Sequence, residues 1–554
     1  MSELQPILSY FYHWESTTPE APFLYQPQGK EWFTLTYRQA GEEVRQIAAA
    51  LQARGLAPGT HVGIISKNCY HWILADLAIT MAGYVSVPFF PNLAPRQLAE
   101  VIRLSDIRLL FAGKLETWHP EAIPEAVEIV SFPHYPGNVR IAEGTAWEEL
   151  RARHPALRGN PLPDLDDLWT VLFTSGTTGT PKGVMLAHRA AAVILANEQE
   201  NHDLGIFRLP EHRFFSFLPL NHVAERISVE TACLLTGGTI SFGESIATFG
   251  QNLRDTQPTF FFAVPRIWSK FQGAVLAKLP PRRLATLLRI PLLGPALKKR
   301  LRSAMGLSRA GVILTGAAPT PENLKQWYLG LGLYLREVYG MTETSGAVTV
   351  MPWEELRPGS VGKPLSGVEV RIDPENDELC VRLPWRMEGY YQDPELTARV
   401  LRDGWLHTGD KARVDEDGFV YIIGRVKDSF KTAKGKYVAP APIEEGMASN
   451  DLVDQVCVVG SGLAQPLALV VLSEYGRTQD RTAVEGLLAG TLGEVNRELP
   501  AYARLSTLVL FTEEWTVENE MLTPTLKIRR SRVDERFGSH YGEWFNRKED
   551  LVWA

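Results

Sequence analysis

At 554 residues the chain is too long for a single hydrophobic core, so two or more packed units are expected. Its 45% hydrophobic content is ordinary for a globular protein, and a net charge of −7 with a pI near 6.0 excludes the basic footprint of a nucleic-acid binder. The cysteines Cys69, Cys233, Cys380 and Cys457 stand far apart without a CxxC pair, which excludes a disulfide frame or a zinc ribbon and reads as reduced, buried thiols of a cytoplasmic protein.

The N-terminus, MSELQPILSYFYHWES, has neither a basic n-region nor a continuous apolar core, so no signal peptide is expected. Thr36 and Gln39 form a capping box for a helix carrying Val44, Ile47, Ala48 and Leu51, with Gly55 placed to end it. A strand at 61–65, a helix at 72–82, a strand at 84–87, a Pro95-initiated helix to 104 and a strand at 108–111 follow. The apolar stretch 72–90 is broken by Asp76, Gly83 and Pro88 and reads as a buried helix and strand rather than a membrane span. This alternation predicts a largely parallel sheet covered by helices.

Residues 172–188 read LFTSGTTGTPKGVMLAH and join an apolar run to a helix starting near Arg189. Gly176, Gly179 and Gly183 let backbone N–H groups approach a polyphosphate; Thr174, Ser175, Thr177 and Thr178 add hydroxyls and Lys182 a mobile charge. A Walker loop needs glycine before its lysine and Ser or Thr after it. Here Pro181 precedes Lys182 and Gly183 follows, which disfavours a P-loop NTPase site. Strands are expected at 215–218, 239–242, 259–264 and 312–315. Between them, residues 273–311 hold nine Lys or Arg and no acid, interleaved with leucines. Such a surface suits anionic lipid, and equally a solvated helical excursion packed by its leucines.

The tail of the 312–315 strand is Gly316-Ala317-Ala318-Pro319, small residues that leave a flat slot for a purine. After a strand at 333–338, Tyr339–Thr344 read YGMTET. There Thr342 can donate to a phosphate oxygen, and Glu343 is a hard carboxylate suited to magnesium. From about 359 the texture becomes that of a small β subdomain, with strands at 368–372 and 378–382 and turns at Gly389 and Gly404. In GWLHTGD (404–410), Asp410 can accept both hydroxyls of a ribose. His407 has no nucleophile arranged around it and reads as a packing or hydrogen-bonding residue. Residues 426–554 carry their own helices at 441–448 and 482–499 and strands at 455–459 and 467–472, a compact α+β unit of normal domain size.

Together with LNHVAER (220–226), GRVKDSFKTAKGKYVAP (424–440) and LTPTLK (522–527), these motifs resemble the ANL superfamily of adenylating enzymes, nearest its long-chain fatty acyl-CoA synthetases. The resemblance covers nearly the whole chain. It implies an α/β fold: a large N-terminal domain, 1–425, of parallel-sheet subdomains plus the small β subdomain, then a smaller mobile α+β C-terminal domain, 426–554. It implies that Thr174–Gly179 and Lys182 hold the β- and γ-phosphates, that Gly316–Ala318 face the adenine, that Tyr339 is a further cofactor-binding residue, and that Asp410 and Arg425 take the ribose. Glu343 would hold Mg2+ and, with Thr342, act at the phosphates. His222 would border the acyl pocket, Lys427 would be the hinge, Gly435 would flank the pantetheine tunnel, and Lys527 would be the adenylation lysine. The departures are Gly424 in place of an aspartate, Lys434 in place of a glycine, Asp377 and Leu383 around the Glu378 strand, and no tryptophan gate near His222.

The implied activity is ATP-dependent activation of a long-chain fatty acid to acyl-AMP, then transfer to coenzyme A. A ligase loading a carrier protein, and a non-catalytic nucleotide- or acyl-binding protein on the same fold, are the alternatives. Joint retention of Glu343, Asp410 and Lys527 argues against the last. The expected partners are fatty acid, ATP and CoA, with no nucleic acid, and peripheral contact with the inner face of an anionic membrane through 273–311.

Overall fold

The computed structural model describes residues 4–175, 181–517, 519–523 and 527–554. Its largest sheet has eight strands among the described residues. Parallel pairing runs from Leu168–Ser175 through Val85–Phe89, His61–Ser66, Leu109–Gly113 and Glu128–Ser131 to Thr145–Ala146. The alternation read from the sequence forms this parallel part, with the Thr36/Gln39 capping box made in full. The helix Tyr70–Met81 is buried on every side, which explains its continuous apolar composition.

Two features differ from the sequence reading. Pro181–Ala187 runs antiparallel to Leu168–Ser175, so Lys182 stands on a strand. Gly389 does not make a turn but joins Tyr390 in a two-residue edge strand paired with Met185 and Val184. The largest sheet is therefore mixed at this edge.

A second sheet places Phe260–Ala263, Val312–Gly316 and Arg336–Met341 in parallel, then Gly346–Val350 and Lys363–Pro364 antiparallel. The strand predicted at 333–338 begins at Arg336 and runs on through the YGM of YGMTET. A third sheet joins Arg213–Ser216, Thr239–Phe242, Pro22–Gln28 and Glu31–Thr36. The β subdomain is an antiparallel sheet built on Glu378–Arg382, Trp405–Val414 and Val420–Arg425. Near the C-terminus, Val453–Val459, Leu467–Leu472, Thr507–Phe511 and Leu551–Trp553 form a separate sheet with an apolar cluster on each face. All four cysteines are buried free thiols. No described helix is long and apolar enough to cross a membrane.

Candidate active site

The ends of the first two sheets, the β subdomain and the C-terminal unit enclose one cleft of about 2120 Å³. Thr174 and Lys182 line it from facing positions of this strand pair, in register with each other. Gly176, Thr177, Thr178, Gly179 and the Ser175 side chain lie outside the described residues. Lys182 Nζ stands 5.6 Å from the Tyr390 ring centre. Its pKa is lowered by burial and by the charge of Lys427, with Glu343 and Asp393 opposing.

Tyr390 links the strand pair to the second motif. Its hydroxyl donates to Glu343 Oε1 at 2.7 Å, which fixes a carboxylate carried on the 3₁₀ turn Thr342–Thr344. Thr342 lines the cleft beside it. Neighbouring strands then supply Asp410 and Arg425 as a cross-strand pair. Arg425 Nε lies 2.9 Å from Asp410 Oδ1, and the Tyr339 hydroxyl donates to Oδ2 at 2.7 Å. Each oxygen keeps a second lone pair, so the oriented carboxylate can still accept a vicinal diol. Opposite, Gly316 lets two strands close: a Cβ there would sit 2.3 Å from the Val338 carbonyl oxygen. Ala317, at φ +65°, and Ala318 line the cleft.

Lys527 reaches this ring from the C-terminal unit. Its N–H donates to Thr523 Oγ1 at 3.0 Å, and Thr523 N–H returns a bond to the Lys527 carbonyl at 2.8 Å. Lys527 is exposed and lines the cleft. Burial and the Arg425 charge lower its pKa, and Asp410 and Glu343 oppose them. Arg266, which the motifs did not reveal, fastens this unit by pairing with Glu514 and, at 3.9 Å, with Asp454. Asn323 Nδ2 adds a bond to the Ser449 carbonyl at 2.6 Å.

His222 caps the short helix Val223–Glu225, its Nδ1 accepting from Ala224 N–H at 3.2 Å. Burial, then the charge of Lys527, lowers its pKa to about 4, so the ring is neutral near pH 7. Beyond it the cleft continues as an apolar arm between the helix His188–Asn201, the π-helical turn Arg226–Thr231 and the second sheet. Ile194, Ile227, Phe260, Phe262 and Leu314 line this arm. No motif marked them, because each reads as an ordinary core residue of its own element.

Lys427 also lines the cleft. Gly435 does not: it sits at φ +71° in the exposed turn between Phe430–Lys431 and Tyr437–Val438. His407 is a hydrogen-bonding residue, with Nδ1 at 3.0 Å from Glu378 and 2.8 Å from Arg402.

The AMP-binding enzyme family profile matches residues 11–391. The chain belongs to the AMP-binding enzyme family. The companion AMP-binding enzyme C-terminal domain matches 427–549. Among curated relatives of this AMP-binding enzyme, the long-chain-fatty-acid–CoA ligase FadD15 of Mycobacterium bovis is 29% identical, with 93% of each chain covered. Fatty acyl-CoA synthetase A of Dictyostelium discoideum is 28% identical over 91% of this chain and 84% of its own. Two solved structures share the fold. The anthranilate CoA ligase AuaEII has a TM-score of 0.80 at 20% identity, covering 98% of this chain and 99% of that one. The A domain of carboxylic acid reductase from Segniliparus rugosus has a TM-score of 0.81 at 23% identity, covering 98% and 95%.

The two shifted groups fix a pH dependence. A cationic Lys527 is lost as pH rises through a pKa held below the ordinary lysine value of about 10.4, so the alkaline limb of adenylation kcat/KM is expected below that pH. With His222 already neutral, no step is expected near its usual pKa of about 6.5. A pH–rate profile from about pH 5 to about pH 10 checks both.

Proposed function

We propose that this AMP-binding enzyme activates a long-chain fatty acid with ATP and transfers the acyl group to coenzyme A. The observation that carries the reading is the continuity of one cleft. The apolar arm behind His222 opens directly onto the ring of Glu343, Asp410, Arg425 and Lys527. The relatives named as fatty acyl-CoA ligases support the same substrate class.

A fatty acid is already ionised near neutral pH, so no base is needed to make it a nucleophile. One carboxylate oxygen attacks the α-phosphorus, forming the acyl–O–P bond as the bond to pyrophosphate breaks. Asp410 orients the ribose, Thr174 and Lys182 hold the leaving phosphates, and Lys527 neutralises charge between the carboxylate and the α-phosphate. Glu343, a hard oxygen donor steadied by Tyr390 at the cleft wall, fits Mg2+, which when bound would neutralise the triphosphate. In the second step the CoA thiol gives up its proton, sulfur bonds to the acyl carbon, and AMP leaves. The chain divides into 1–425 and 426–554, with rotation at Lys427 withdrawing Lys527 and bringing the Gly435 turn to the cleft.

The test is release of pyrophosphate and AMP with fatty acids of graded length, with and without CoA. Pyrophosphate should form with long chains, and multiple-turnover AMP release should require CoA. Turnover only with a carrier protein would support the acyl-loading alternative, and nucleotide binding without turnover would support a binding protein.

We further infer that the basic segment 273–311 docks on anionic lipid. Its helices Pro281–Arg289 and Leu293–Ala304 are joined by an apolar knuckle in which Leu292 is 88% exposed at φ +67°, beside exposed Ile290 and Leu293. Leu284 is buried, so part of the leucine set packs inward while the knuckle projects. Co-sedimentation with phosphatidylglycerol vesicles should be salt-sensitive and should fall at least about tenfold when Arg282, Arg283, Lys298 and Lys299 are neutralised. Binding unchanged by that variant would overturn the assignment.

A further inference from the structure

Leu204 and Ile206 of the loop 203–209 line the cleft, and two buried charged side chains bond the backbone of that loop. Glu198, 3% exposed in the last turn of the helix His188–Asn201, accepts three consecutive backbone N–H groups. They come from Leu204 at 2.8 Å, Gly205 at 2.9 Å and Ile206 at 2.8 Å. Arg336, 1% exposed, donates to the loop's carbonyls, at 2.8 Å to Leu204 and 2.7 Å to Asp203. The carboxylate thus holds the N–H of Leu204 and the guanidinium holds its C=O.

Two further contacts fix the same loop. Trp353 lies 4.0 Å beneath the Arg336 guanidinium and closes on Gly205, where a Cβ would stand 2.5 Å from the ring. Gly205 has φ +88°, so the tight passage is conformationally suited to glycine. The Asp203 carboxylate accepts from Ser366 N–H at 2.8 Å and from Ser366 Oγ at 3.2 Å.

Burying a carboxylate and a guanidinium is costly unless their bonds are met, so any displacement of the loop strands two ions at once. The loop therefore resists an incoming chain instead of breathing around it. Its apolar face is Leu204 and Ile206, and both side chains line the arm with Ile194 and Leu195.

We propose that loop 203–209 is a rigid floor that sets the longest acyl chain accepted, with Leu204 and Ile206 as specificity-determining residues and Glu198 and Arg336 as positioning residues. This rests on the fatty-acid reading of the arm. A chain that reaches the floor gains burial with every methylene, and one methylene more must displace a fixed wall. The length profile should therefore fall steeply on its long side, since a single methylene in a shaped apolar pocket discriminates by about 10- to 200-fold.

The test measures kcat/KM for saturated acids from about eight to about twenty-two carbons with the full-length enzyme. Leu204→Ala and Ile206→Ala should move the optimum to longer acids by about two carbons, because each removes about three carbons from the floor. Leu204→Trp should lower kcat/KM for the longest good substrate at least about tenfold and leave shorter acids within about twofold. Glu198→Gln turns an amide N–H2 toward backbone donors and should flatten the long-side fall with KM for ATP unchanged, which a general loss of folding would not do. Fatty-acid activation with an unmoved length profile in both alanine variants and in Leu204→Trp would overturn the floor. Absence of fatty-acid activation in the unmodified enzyme would instead overturn the substrate reading, and the floor with it.

Discussion

Lys527→Ala is expected to lower acyl-dependent pyrophosphate exchange by at least about 10²–10³-fold while leaving thioester formation from supplied acyl-AMP within a few-fold. The expectation follows from where the ammonium sits. It is the cation that the C-terminal unit delivers into a ring already holding Asp410, Arg425 and Glu343, and its pKa is moved by all three. A preformed charge inside a walled cleft needs no reorganisation when negative charge builds between the carboxylate and the α-phosphate. Thioester formation starts after that charge has left with pyrophosphate, so the same lysine has nothing to stabilise there. Lys527→Arg should recover only part of the exchange, because a planar fork on a different stem does not place its charge where a compact ammonium did. Equal loss of both half-reactions in Lys527→Ala would defeat a two-position mechanism.

The parts of this site that a linear reading could find are those whose chemistry is local. A polyphosphate cradle needs glycines and hydroxyls within a few residues, and Tyr339, Thr342 and Glu343 share one strand end, so the roles proposed for them are written contiguously. The fold was legible for the same reason wherever a local device fixed an element, as Thr36 with Gln39 or Pro95 at its helix start. What stayed hidden depends on partners far along the chain. The strand that carries Lys182 contains proline and glycine, which argue against a strand until its register with 168–175 is seen. Gly389 reads as a turn because nothing nearby shows that Met185 will pair with it. Arg336 begins its strand later than apolarity suggested, and its ligands are carbonyls of 203 and 204, more than a hundred residues away. The acyl arm is built from separate elements, each contributing core-like side chains, so its specificity is invisible to any window.

The largest stability effect is expected at Arg226, where substitution by methionine should cost about 3–5 kcal/mol. Its guanidinium is fully buried, 2.5 Å from Asp76 and 3.1 Å from Glu230. It also donates to Thr170 Oγ1 at 2.8 Å and lies 4.1 Å over the Trp169 ring. Burial, and then Asp76, push the Glu230 carboxyl well up, while Arg226 opposes them. Arg226→Met removes the positive member and leaves the Asp76 carboxylate buried without its counter-ion. Adding Asp76→Asn removes that orphaned charge, so the double variant should recover most of the loss, as a buried ion pair replaced whole is often nearly neutral. Urea unfolding followed by tryptophan fluorescence checks this, with Trp72 and Trp169, which flank the guanidinium, among the fourteen tryptophans that contribute to the signal. A single variant within about 1 kcal/mol of the unmodified protein, or a double variant no better than the single, would defeat the counter-ion account. The triad also faces function: Arg226 opens the π-helical turn Arg226–Thr231, whose Ile227 and Ser228 line the acyl arm. Loosening that turn should therefore raise KM for the fatty acid, and KM for ATP should rise as well, because Thr170 and Trp169, which Arg226 also holds, lie on the strand of Thr174.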